Sequence, residues 1–203
     1  MRISAGNLKG RKIGSKSELR RVTRHGILRP TSSKVRESIF NIIGERIEEA
    51  QFIDLYAGTG AVGIEALSRG AEKAFFVEAD RKRAEQIEDA LKDCGCSSGA
   101  EVIKGKASDF IKKAEKEGLK FDIIFLDPPY HSEDIEDTLS LLARGLLLSD
   151  EGIVIAEHIS KKKLPDEIGM LVKKKDYKYG DTMLTLFRKE ISDETNSHLS
   201  RNI

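Results

Sequence analysis

Tryptophan is absent, and 203 residues hold only two cysteines, four prolines and four tyrosines. Cys94 and Cys96 stand too close together to staple a fold. No nearby Cys/His pair completes a zinc site, so no metal is expected. Disulfide scaffolds are thereby excluded, and a reducing cytoplasm is the expected compartment. No apolar run approaches the ~20 residues that span a bilayer. The opening Met1-Arg2-Ile3-Ser4-Ala5-Gly6 lacks the apolar core of a signal peptide. What remains is 39% hydrophobic and 34% charged, the balance of a soluble globular protein with room for one good-sized domain.

One stretch almost lacks acids. Residues 1–36 carry eleven Lys and Arg against the single Glu18, a net of about +10. The whole chain sums to +1, so the remainder is about −9. A basic arm on a mildly acidic body is the electrostatic footprint of a polyanion partner, with nucleic acid favoured over a merely solvated terminus.

Hydrophobic periodicity divides the chain into a basic extension (1–50), a main domain (51–189) and a polar tail (190–203) expected to be disordered. The extension reads as a small hairpin over 2–14, a basic loop over 15–28, and a helix capped by Thr31 or Ser32. Val35, Ile39, Ile42, Ile43 and Ile47 form the helix's apolar stripe, which runs to about Ala50. In the main domain, strands at 52–56, 73–77, 101–104, 121–126 and 152–157 alternate with helices. Leu171–Tyr179 and Thr182–Arg188 close it as an antiparallel pair around Gly180-Asp181. The expected fold is α/β: a doubly wound, mostly parallel, seven-stranded Rossmann-like sheet.

The fourth strand, Phe121-Asp122-Ile123-Ile124-Phe125-Leu126, is stopped abruptly by Asp127-Pro128-Pro129-Tyr130. It delivers a carboxylate, two rigid peptide units and an aromatic ring to the end of the sheet where ligands bind. An exocyclic amine on a nucleobase is a poor nucleophile, because its lone pair is delocalised into the ring. The Asp127 carboxylate and the Pro128 carbonyl each accept one of its N–H bonds and aim the lone pair. Tyr130 offers a stacking face worth ~1–3 kcal/mol per base.

Gly58-x-Gly60-x-x-Gly63 lies between a strand and a helix and formally matches a dinucleotide fingerprint. Asp54 sits four residues before it, where a carboxylate would repel a pyrophosphate. S-adenosylmethionine has no phosphate and carries an ammonium and a sulfonium, so the acid favours it. Glu78, at the end of the next strand, suits the ribose hydroxyls, with Asp80 as the alternative. Tyr56, Thr59, Ser108 and Asp109 complete the candidate cofactor set, and Asp109 is the candidate for the adenine amine. Arg2, Lys9, Arg11, Arg29, Thr31, Lys34 and Arg36 are the candidate RNA contacts. His131, Glu157 and His158 lie near the same rim without an assigned role.

Four stretches together carry a resemblance. They are Met1–Gly6 with Leu8-Lys9-Gly10-Arg11; Arg29-Pro30-Thr31 with Lys34–Asn41; Asp54–Gly60; and Asp127–Tyr130. The chain resembles class I S-adenosylmethionine-dependent methyltransferases, and more closely the RsmD-type bacterial enzymes that methylate guanine N2 in 16S ribosomal RNA. The resemblance implies a monomer acting on ribosomal RNA in an assembling small subunit. Three alternatives stay open: an amino-methyltransferase acting on adenine N6 or cytosine N4, a non-catalytic RNA-binding assembly factor, and a nicotinamide-dependent oxidoreductase.

Overall fold

A computed structural model describes residues 2–13, 32–129 and 134–190. Its centre is a sheet whose order is β3-β2-β1-β4-β5-β8-β7-β6. The parallel strands are β1 (Gln51–Asp54), β2 (Lys73–Glu78), β3 (Ala100–Lys104), β4 (Phe121–Leu126) and β5 (Leu148–Ile159). β7 (Leu171–Tyr179) and β8 (Thr182–Lys189) add the antiparallel end, joined at Gly180, whose φ is 61°. The expected closing pair is present. An eighth strand, β6 (Glu167–Ile168), extends the sheet by one short edge. Two residues are too few for an alternating pattern to reveal.

Helices cover both faces, which is why β4 can be apolar almost throughout. One cluster joins Phe52, Phe76, Ile123, Phe125 and Ile155 of the sheet to α1 (Ser33–Ile43), α2 (Ala61–Ser68) and α3 (Arg81–Cys94). The other joins Ile53, Val77, Ile124, Leu126 and Ala156 to α4 (Ala107–Lys116) and α5 (Asp134–Leu142). Consecutive strand residues alternate between the clusters because successive side chains point to opposite faces.

The N-terminal residues pack into the first of these cores through Ile3 and Ile13. Arg2 bridges Lys12 in an antiparallel hairpin. The hairpin lies against the end of α2, where the Asn7 N–H donates to the Ser68 carbonyl at 2.8 Å. Gly6 makes this approach possible. Its φ is +78°, and a Cβ there would sit 1.6 Å from the Ser68 carbonyl oxygen.

Ser32 caps α1 by accepting from the Val35 N–H at 3.2 Å. The helix was expected to continue to about Ala50, but it stops at Ile43. Gly44 takes φ 61° and a single 3-10 turn follows, over Gly44–Ile47. The apolar spacing that reaches Ile47 belongs to that turn. Arg36 was expected among the RNA contacts and requires a second correction. It is 2% exposed, donates to the Arg2 carbonyl at 2.9 Å, and lies 3.4 Å from the Glu65 carboxylate. It therefore binds the hairpin and α2 together and is closed to phosphate. Cys94 and Cys96 are bonded to each other across one turn at the end of α3. Their Cα atoms are 5.6 Å apart, and the link ties no separate elements together.

Candidate functional site

β1 lies between β2 and β4, so the direction of winding reverses there and a crevice opens at the carboxyl ends of these strands. The glycine loop crosses this crevice. The Leu55 N–H donates to the Phe125 carbonyl and the Ala57 N–H to the Val77 carbonyl, both at 2.9 Å, which fixes the loop between β4 and β2. Gly58 and Gly60 adopt φ of 54° and 73°, a region a side chain would strain. Gly63 has a different reason to be glycine: a Cβ there would sit 2.3 Å from the Phe76 ring. Its absence lets α2 lie close against β2.

Three acids converge at this point. Glu78 is 6% exposed and accepts from the Gly58 N–H at 2.9 Å, the Asp80 N–H at 2.8 Å and Arg83 at 3.1 Å. Its carboxylate is thus locked under the glycine loop. Asp80 instead caps α3 through the Arg83 N–H at 2.9 Å. Asp54 is 1% exposed and accepts from the Tyr56 N–H at 3.2 Å. Burial pushes its carboxyl up to about 8; the Tyr56 N–H opposes the shift, and the charges of Asp127 and Glu78 add to it. Asp127, half-buried just past β4, is close enough to Asp54 to be felt electrostatically.

A fourth acid joins the row. Leu126 pairs with Ala156, so Asp127 follows opposite Glu157, which is 3% exposed. Phe52, Phe76, Phe125 and Ile155 belong to one cluster, and two residues further along each strand come Asp54, Glu78, Asp127 and Glu157. By alternation Asp54, Glu78 and Glu157 face the same side of the sheet, and Asp127, just past β4, lies near enough to Asp54 for its charge to act there. His158 consequently turns to the other side. Its Nε2 lies 2.8 Å from the Thr185 hydroxyl, which donates to Asp176 at 2.6 Å, and burial lowers its pKa. Sequence reading left Glu157 without a role. The signal available was its place at the end of an apolar strand next to the one bearing Asp127. Among the described residues, no three His, Cys, Asp or Glu are grouped to hold a metal ion.

The remaining sequence-derived residues are placed as follows. Pro128 is buried and Pro129 exposed. Thr59 is half-buried in the glycine loop. Tyr56 directs its hydroxyl to Thr138 of α5 at 2.7 Å, so its ring braces that helix while its backbone serves Asp54. Ser108 is half-buried and Asp109 exposed in the first turn of α4, at the carboxyl end of β3. Arg2, Lys9, Arg11 and Lys34 are exposed, with Arg11 donating to the Cys94 carbonyl at 2.7 Å. Arg29, Thr31, Tyr130 and His131 lie outside the described residues, as does the tail after Glu190. No helix among the described residues is long and apolar enough to cross a membrane.

Comparison with known proteins adds three findings. The family model described as conserved hypothetical protein 95 matches residues 1–188. A ribosomal RNA small subunit methyltransferase D of Haemophilus influenzae is 37% identical, covering 81% of this chain and 81% of its own. A solved Escherichia coli structure described as "putative methyltransferase yhhF" superimposes with a TM-score of 0.79 at 32% identity, covering 94% of this chain and 98% of its own.

Proposed function

Because the chain belongs to the conserved hypothetical protein 95 family, that of the small subunit ribosomal RNA methyltransferases D, we propose that it transfers a methyl group from S-adenosylmethionine to the exocyclic N2 of a guanine in 16S ribosomal RNA. The observation that carries this reading is the row of buried and half-buried acids around the glycine loop. Burial, with the charges of Asp127 and Glu78, holds Asp54 largely protonated at neutral pH. The residues fit the cofactor. Asp54 meets its ammonium, Glu78 its ribose hydroxyls, and the exposed Asp109 with Ser108 its adenine edge. A pyrophosphate in this crevice would face the like charge of Glu78 and Asp127, which disfavours a nicotinamide dinucleotide.

Bound S-adenosylmethionine supplies a methyl group already activated by its sulfonium, so the protein's part is positioning in a crevice with little water. Asp127 and the Pro128 carbonyl accept the two N–H bonds of the target amine and direct its lone pair into the crevice. Tyr130 stacks the base, which must leave its helix to reach a half-buried carboxylate in the crevice. Once nitrogen gains the methyl, its proton becomes acidic, and Asp127 or solvent takes it. Asp127 thus holds the amine first and receives a proton only late.

Arg2, Lys9, Arg11, Arg29, Thr31 and Lys34 supply sequence-independent grip on phosphates. The hairpin that carries the first three is clamped to the C-terminal half of α2, the helix that the glycine loop opens. The assembling small subunit in the cytoplasm is the proposed substrate, and a monomer the proposed active form.

The test is to incubate the protein with methyl-labelled S-adenosylmethionine and small subunits, partly assembled subunits or naked ribosomal RNA from cells lacking the enzyme. The RNA is then digested to nucleosides. Label in N2-methylguanosine is expected. Label in another nucleoside would keep the methyltransferase and overturn the guanine assignment. An absence of cofactor binding would overturn the enzymatic reading.

A further inference from the structure

We infer that Glu157 selects guanine by accepting the ring N1–H of the target base while Asp127 holds the neighbouring N2 amine. This rests on the guanine-N2 reading given above. Leu126 and Ala156 are paired in parallel register, so one residue further on Asp127 and Glu157 stand side by side. Neighbouring strands are ~4.8 Å apart. Two residues before them, Phe125 and Ile155 face the same core; Glu157 keeps that face within β5, and Asp127 follows the end of β4. The next residue, His158, is turned away toward Thr185 and Asp176. The row then divides into two pairs. Glu78 and Asp54 flank the glycine loop, and Asp127 and Glu157 stand on the far side of the switch point.

Two acids side by side suit a base that presents two donors side by side. Guanine carries N1–H next to its N2 amine. Adenine places an unprotonated N1 next to its N6 amine, and cytosine an unprotonated N3 next to N4. A carboxylate at the Glu157 position bonds the first arrangement and repels the lone pair of the other two. Glu157 is 3% exposed, so water screens neither the attraction nor the repulsion. Asp127 with Pro128 needs only an amine and does not distinguish the three bases. Glu157 contributes the distinction.

2-Aminopurine provides the probe. It keeps the 2-amine but presents a lone pair at N1. Once wild type has mapped the methylated position, ribosomal RNA is ligated with guanine or 2-aminopurine there and assembled into subunits. kcat/KM is then measured for wild type and Glu157→Gln on both. An unpaired buried polar group is strongly discriminating, so wild type is expected to favour guanine by about 100-fold or more. The amide of Glu157→Gln donates to a bare N1. It should lower the guanine rate and raise the 2-aminopurine rate, shrinking the preference at least ~10-fold. Cofactor affinity, read separately, should be unchanged. An equal fall on both substrates would mean that Glu157 only supports the fold, and would overturn the inference. If Glu157→Gln does not fold, wild type decides alone, because a preference below about threefold also overturns it. Wild type that labels a nucleoside other than guanosine removes the guanine reading, and the inference with it. Wild type that labels guanosine with a ratio unchanged in Glu157→Gln removes the inference only.

Discussion

Replacing Asp54 with Asn should stabilise the cofactor-free protein in a pH-dependent way while weakening cofactor binding. Burial, with help from Asp127 and Glu78, raises the Asp54 carboxyl from 3.8 to about 8. Between those values the unfolded chain has lost this proton and the native protein still holds it. The unfolded state therefore binds fewer protons, and stability falls as pH rises, levelling off above about 8. Each unit in the window costs ~1.4 kcal/mol. From pH 5 to pH 7 the wild type should lose ~2.7 kcal/mol through this group, a slope that Asp54→Asn lacks. Urea unfolding of both proteins without cofactor at pH 5, 6, 7 and 9 measures it. The stability difference should widen with pH and flatten above 8. Parallel curves would show that Asp54 ionises normally, and would refute the argument that burial holds its proton.

Three further outcomes follow from the same geometry. At pH 7 a carboxyl titrating at about 8 is mostly protonated, so capture of the cofactor's ammonium should release close to one proton, seen as a binding enthalpy that varies with buffer; an enthalpy independent of buffer would contradict the pairing. Glu65 is 1% exposed and accepts from the Ser4 hydroxyl and the Ser4 and Ala5 N–H groups at 2.7, 2.9 and 3.0 Å, besides pairing with Arg36 and Arg69. Glu65→Ala strands the buried Arg36 and these part-buried donors and should cost ~3–5 kcal/mol in urea unfolding, with proteolysis beginning in the N-terminal hairpin; a loss below 1 kcal/mol would show that the hairpin is held by its apolar contacts instead. Gly63→Ala forces a methyl against the Phe76 ring and should cost ~1–3 kcal/mol while weakening cofactor affinity through the displaced loop; unchanged thermal stability would mean α2 moves freely.

Much of the fold was legible because parallel strands buried on both faces leave continuous apolar runs, and here each run ends in an acid or a glycine. Phe52–Asp54 and Phe121–Leu126 are of this kind. The β7–β8 hairpin announced itself through Gly180. Less legible were features that join distant parts of the chain. Arg36 and Glu65 both look like solvated charges in their own helices. Only the packing of α1 and the hairpin on α2 buries them as a pair. The end of α1 was missed because Ile47 keeps the helical spacing while Gly44 breaks the backbone. Of the candidate site residues, Asp54, Glu78 and Asp127 were read from strand ends, and the structure brings them near one another. Glu157 was left unassigned, because its place beside the strand that leads to Asp127 depends on the register of β5 against β4, and spacing along the chain does not encode register.

The most direct test of the central claim separates cofactor binding from reaction at Asp127. Asp127→Ala is compared with wild type for S-adenosylmethionine affinity and for single-turnover methyl transfer to the small subunit at saturating cofactor. If Asp127 holds the amine, affinity should change less than about threefold while transfer falls ~100-fold or more, the loss expected for a positioning and electrostatic contact made to the reacting group. A variant that loses cofactor affinity but transfers methyl groups at the wild-type rate once saturated would contradict the account and place Asp127 with the cofactor acids.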